Sequence, residues 1–84
     1  MFKIIPTSPD YLLNAESLQN MLLKYGIKSS INTLYEIPLK KRLKYGIDNA
    51  LIISEYEIKT NTYNLRRGLI NINITMNQLI NYCS

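Results

Sequence analysis

"LKYGI" occupies positions 23–27 and returns unchanged at 43–47, and what this pentapeptide does decides the fold. Ahead of the first copy, "SPDYLLNAESLQNMLLKY" places Leu12, Ala15, Leu18, Leu22 and Tyr25 at helical spacing, with Ser8 as N-cap and Pro9 at the first helical position. A helix of about four turns ending at Tyr25 is expected. In both copies a Lys stands in the last turn, where it complements the negative helix end. Gly follows where a left-handed C-cap is wanted. Ile then opens an extended segment. The pentapeptide reads as one joint used twice, a helix stopping on Gly and passing to a strand, in preference to a shared ligand site.

Three strand candidates are separated by these helices: "FKII" before the first, "IKSSINT" between them and "NALIIS" after the second joint. A β-α-β-α-β order calls for parallel strands with right-handed crossovers. The second helix is short, about 38–45, with Pro38 near its first turn. "ALII" is a continuous apolar run, as in a strand covered on both faces, and is expected at the centre of the sheet.

After Ser54 the pattern becomes alternating. "KTNTYNLRRG" and "LININIT" read as two strands joined around Gly68. Tyr63 and Leu65 oppose Thr62, Asn64 and Arg66, while Ile70, Ile72 and Ile74 oppose Asn71 and Asn73. If the apolar face is buried, the other presents amides and an arginine. A last helix, "MNQLINYC", turns Met76, Leu79 and Ile80 inward.

Composition limits the chemistry. The 84 residues are 46% apolar and 19% charged, the balance of one small folded domain, expected to span 1–84. No apolar run approaches a membrane span, and "MFKIIPTSPD" lacks the hydrophobic stretch of a secretory signal, so a cytoplasmic protein without membrane contact is expected. There is no His, which removes the commonest general base and metal ligand. The single Cys83 has no second Cys and no activating His, and reads as a frayed terminal thiol. Gly26, Gly46 and Gly68 stand too far apart for a nucleotide-binding loop. These absences argue against catalysis by this chain alone and against any cofactor.

The charge distribution is more informative. Net charge is +4, and four of the ten basic residues fall within "KKRLK". On a helix Lys40, Lys41 and Lys44 share a surface while Leu39 and Leu43 face inward. Arg66 and Arg67 make a second basic point. With seven tyrosines, this is what a surface that holds phosphates and stacks bases requires. A solvated face enriched in Lys and Asn by A- and T-rich codons explains the same residues.

The order of motifs favours the first explanation. From "FKIIPTS" through "LKKRLKYGIDNALIISEYEI" to "NTYNLRRG", the chain resembles the C-terminal anticodon-binding domain of the histidyl, threonyl, prolyl and glycyl class II aminoacyl-tRNA synthetases. Those domains run as an apolar strand ending in Ile-Pro, a helix ending in a Gly-Ile joint, an acidic strand exit and a Lys-rich helix. A strand, a Gly-x-x-Glu turn and a Val-x-Val-Arg strand follow. The corresponding places here are Ile5-Pro6, Gly26-Ile27, 32–36, 40–44, 51–57 and 63–67. "LKKRLKYG" leans to the histidyl enzymes, "NTYNLRR" followed by Thr75-Met76 to the threonyl ones. Ser54 stands in place of the turn's Gly, and Asn32 and Leu34 replace an Asp-x-Arg exit. The class II motifs that bind ATP and amino acid are missing from this chain.

The resemblance implies an α/β fold, a single three-layer domain with a mixed, mostly parallel five-stranded sheet and three helices, β-α-β-α-β-β-β-α. It implies binding of a tRNA anticodon stem-loop, with a synthetase catalytic domain or a second copy of the chain as further partners. Lys40, Lys41 and Lys44 would hold phosphates, Arg66 or Arg67 would engage a base edge or phosphate, and Tyr35 would stack on a base. Glu36 and Glu57 would accept from base amino groups, unless Glu57 only pairs with Arg66 or Lys59. The alternative is a protein-interaction module that has kept this fold and lost RNA binding. It is favoured by the replaced strand exit and by "ININI", which on an exposed edge would invite strand addition.

Overall fold

The computed structural model describes residues 2–33 and 49–83. Strand β1 (Phe2–Pro6) leads through a 3-10 turn (Pro9–Tyr11) into α1 (Leu12–Lys24), followed by β2 (Ser29–Ile31). Further along lie β3 (Ala50–Ile53), α2 (Glu55–Thr60), β4 (Tyr63–Arg67), β5 (Ile70–Ile74) and α3 (Met76–Cys83). The strands form one sheet in the order β2-β1-β3-β4-β5. β1 pairs parallel with β2 and β3, whereas β3–β4 and β4–β5 are antiparallel. The apolar run "ALII" is the central strand, as its composition demands.

The first "LKYGI" is the expected joint. α1 gives way at Tyr25, Gly26 takes φ +76°, and two bonds close the end: Gly26 N to Leu23 O and Ile27 N to Leu22 O, each 3.0 Å. This is a Schellman cap, and Ile27 packs back on the core cluster that contains Leu22. At the other end Ser8 Oγ accepts from Asp10 N at 3.2 Å, with Pro9 opening the 3-10 turn that feeds α1. The second copy of the pentapeptide and the helix expected at 38–45 lie outside the described residues.

Alternation along the strands sorts their side chains. On one face Ile4, Leu51, Ile53, Leu65 and Ile74 join Ala15, Leu18 and Leu22 of α1 and Leu79 of α3 in a single core. The opposite face carries buried Ile5 and Ala50 and, over β4 and β5, a row of polar side chains.

Three expectations are corrected. Residues 59 and 60 do not begin a strand: α2 takes them, and β4 starts at Tyr63. The signal was in the sequence, since Ser54-x-x-Glu57 is a capping-box pattern, and Asn61 ends the helix with φ +54°. β2 is only three residues of the longer "IKSSINT". Cys83 is not frayed; it is the last residue of α3, partly buried against the core, where burial raises its thiol pKa although the Arg67 charge opposes this.

Candidate nucleic-acid interface

Ser54 leaves β3 at its carboxyl end and becomes the N-cap of α2. One helical turn on, Glu57 folds back so that its Oε1 accepts from the Ser54 N–H at 2.9 Å and from the Ser54 hydroxyl. The hydroxyl supplies a donor that a Gly at this position could not. Glu57 Oε2 accepts from Asn73 Nδ2 at 2.8 Å, which ties α2 to β5.

Asn73 is the first of a row of amides. Its Nδ2 also donates to Thr62 Oγ1 at 3.1 Å. Its Oδ1 accepts from Asn64 Nδ2 at 3.0 Å, and the same Asn64 nitrogen donates to Asn71 Oδ1 at 2.9 Å. Asn64 Oδ1 in turn accepts from Arg66 Nε at 3.0 Å. Donation therefore runs one way along the sheet, from the cation of Arg66 through Asn64 and Asn73 to the carboxylate of Glu57. The register builds this row: Asn64 lies opposite Asn73 and Arg66 opposite Asn71, so all four side chains emerge on the face away from Leu65.

Glu57 is buried, with 7% of the residue exposed. Burial alone would raise its pKa. Hydrogen bonds from the Ser54 hydroxyl, the Asn73 amide and the Ser54 N–H outweigh that and hold it below the ordinary 4.5. Glu57 is thus an ionised acceptor at neutral pH. The pairing with Arg66 or Lys59 does not form: Lys59 Nζ sits 3.0 Å from Glu55 Oε1 one turn away, and Arg66 Nε is turned to Asn64. Beside Glu57 a cleft of about 180 Å³ opens between Asn14, Ser17 and Met21 of α1 and the Asn61, Thr62, Tyr63 stretch.

Arg66 and Arg67 do not act as a pair. Consecutive strand residues point to opposite faces, and Arg67 lies on the core side, its guanidinium 5.4 Å from the Tyr82 ring centroid. Of the residues singled out in the sequence, the structure links Glu57 with Arg66 and separates Arg67 from both. Lys40, Lys41, Lys44, Tyr35 and Glu36 lie outside the described residues. Asn64 and Asn73, the middle of the row, were visible as alternating polar positions, but their connection to Glu57 follows only from the pairing register.

Such a row has donors and an acceptor in fixed orientation. Amides and guanidinium match the edges of exposed bases, and an ionised carboxylate accepts from base amino groups. Among the described residues no group of three His, Cys, Asp or Glu side chains is placed to hold a metal ion. No helix among them is long and apolar enough to cross a membrane.

No protein-family model matches the chain, and none of the curated proteins does. Among solved structures it is similar to the RNA-binding domain of threonyl-tRNA synthetase from Cryptosporidium parvum Iowa II, with a TM-score of 0.80 and 19% sequence identity. The superposition covers 98% of this chain and 22% of that one, so the chain spans about a fifth of the length of the protein it matches. With a TM-score of 0.80 over nearly the whole chain, this chain shares its fold with the RNA-binding domain of a threonyl-tRNA synthetase.

Proposed function

We propose that this domain binds RNA, and specifically the anticodon stem-loop of a tRNA, as a threonyl- or histidyl-like synthetase domain or a freestanding relative of one. The observation that carries this reading is the hydrogen-bonded row from Arg66 through Asn64 and Asn73 to Glu57, a polar strip on a fold similar to an RNA-binding domain. In it, Arg66 reaches a base edge or phosphate with the rest of its guanidinium, and the amides that orient it are anchored at their far end by the buried carboxylate of Glu57. Lys40, Lys41 and Lys44 supply the phosphate contacts that position the loop. Aminoacylation would require a catalytic domain in addition to this one.

Fluorescence anisotropy against threonine, histidine and proline anticodon stem-loops, with a scrambled loop as control and two salt concentrations, tests it. Preference for one loop that survives the higher salt is the expected result. Equal binding erased by salt leaves a basic surface without selectivity. No binding at low salt favours the second reading, a protein-interaction module, for which the specific observation is β5, the edge strand among the described residues, with Ile70 and Ile72 partly in solvent.

A further inference from the structure

Among the described residues strand β5 ends the sheet, and it lacks the features that ordinarily protect a sheet edge. Its five residues, Ile-Asn-Ile-Asn-Ile, contain no charge and no proline, and all five pair with β4 in unbroken register, without a bulge. Ile70 and Ile72 are 39% and 51% exposed, and Leu69 in the preceding turn is fully so. The opposite edge is different: β2 has three residues and follows Lys28.

Two further properties of β5 point to what pairs with it. The first is the direction of its main-chain groups. Arg67 and Ile70 close a two-residue turn in which Gly68 takes φ +59°, so these two residues exchange hydrogen bonds. Alternation along the ladder then turns the N–H and C=O of Ile72 and Ile74 toward β4, and those of Asn71 and Asn73 outward, to the edge. The second is the sequence itself, which reads the same in both directions about Ile72. In an antiparallel self-pairing centred there, Asn71 meets Asn73 of the second copy and Asn73 meets its Asn71. These are the residues whose main-chain groups face outward, so the narrow hydrogen-bonded pairs fall where donors and acceptors stand ready. Ile72 meets Ile72 on the two-fold axis as a non-hydrogen-bonded pair, where side chains approach closest. Ile70 meets Ile74, and the two Gly68-Leu69 turns, with Arg66 and Arg67 just ahead of each, go to opposite ends of the joint rather than side by side.

We infer that two copies of this chain associate through β5, antiparallel and centred on Ile72, into one continuous sheet of ten strands. The contact is isologous, with Ile against Ile on one face and Asn against Asn on the other, so the amide rows of the two copies become contiguous. One five-residue edge with a few apolar side chains provides less than the roughly 800 Å² per partner of a standard interface, so the dimer is reversible. This inference stands on the sheet edge and does not depend on RNA binding.

Sedimentation velocity over a wide concentration range should show the molar mass rising from 9.8 kDa toward twice that value. Ile72→Lys, which sets two ammonium groups on the axis at a solvent-exposed position, should remain monomeric throughout while keeping the circular dichroism of the parent. Register is read with Cys83→Ser as background. Ile72→Cys should oxidise to a covalent dimer, since the Cα separation of about 4.5 Å in such a pair permits a disulfide, whereas Ile70→Cys, placed opposite Ile74, should not. A parent chain monomeric at every concentration overturns the inference. So does a dimer that survives Ile72→Lys, or cross-linking that is equal at positions 70 and 72.

Discussion

Asn73 Nδ2 donates to Glu57 Oε2 at 2.8 Å, a bond that joins the edge strand β5 to α2 across 16 residues of chain. It makes Glu57 both a capping residue and the acidic end of the amide row. Folding and the proposed recognition surface therefore share one carboxylate, and its protonation bears on both.

The sign of the pH effect follows from that geometry. Glu57 titrates below 4.5 in the folded chain, so on acidification the unfolded chain takes up a proton first. Its stabilisation is complete above the unfolded value and is lost as pH falls through the folded one. Thermal midpoints measured from pH 7 down to pH 3 should drop more steeply for the parent chain than for Glu57→Gln, which has no charge to lose. Parallel curves for the two would show that the Ser54 and Asn73 bonds do not favour the charged form.

The two arginines should separate experimentally. Arg66→Ala removes the cationic end of the amide row and should weaken stem-loop binding by about 1–3 kcal/mol, the range of a good base-edge contact. Arg67→Ala acts on the other face and should leave binding nearly unchanged while costing about 0.5–1 kcal/mol of stability through the lost Tyr82 contact. Anisotropy and urea denaturation on both variants check the pattern. Equal loss of affinity in the two would mean that the RNA does not approach the amide face.

That contrast also shows how much was legible beforehand. The parallel half of the sheet, the Gly26 joint and the central place of 50–53 follow from local signals: a cap, a period and an apolar run. The two faces of β4 and β5 follow from alternation of Ile with Asn. Assigning Arg66 and Arg67 to one basic point ignored that same alternation. Helix α2 escaped because "KTNTYN" has strand-like alternation, while the Ser54-x-x-Glu57 box that starts the helix lies just ahead of it. The Glu57–Asn73 bond needs the β4–β5 register and the position of α2 together, and no local pattern contains both.

Gly26 offers a test of the joint itself. A Cβ built there meets nothing within 4 Å, yet φ is +76°. The cost of a side chain is then conformational rather than steric. Gly26→Ala should lose about 1–2 kcal/mol, and Gly26→Asn less, because Asn tolerates the left-handed region. Denaturant midpoints of the three proteins decide it. Equal losses for Ala and Asn would mean that something other than the backbone conformation sets the cost.

The basic helix read from the sequence has a signature independent of any one contact. If Lys40 and Lys44 each neutralise a phosphate, binding releases counterions, and the logarithm of affinity falls linearly with the logarithm of salt. The double substitution Lys40→Ala, Lys44→Ala should weaken all stem-loops alike and flatten that slope by about 0.7–0.9 for each lost contact. Selectivity among loops should persist, because phosphates carry no sequence information and the amide row with Arg66 and Glu57 is untouched. Anisotropy titrations at four salt concentrations give slope and selectivity together. An unchanged slope would remove the 38–45 segment from the phosphate contacts, and lost selectivity would move base reading from the β4–β5 face to that segment.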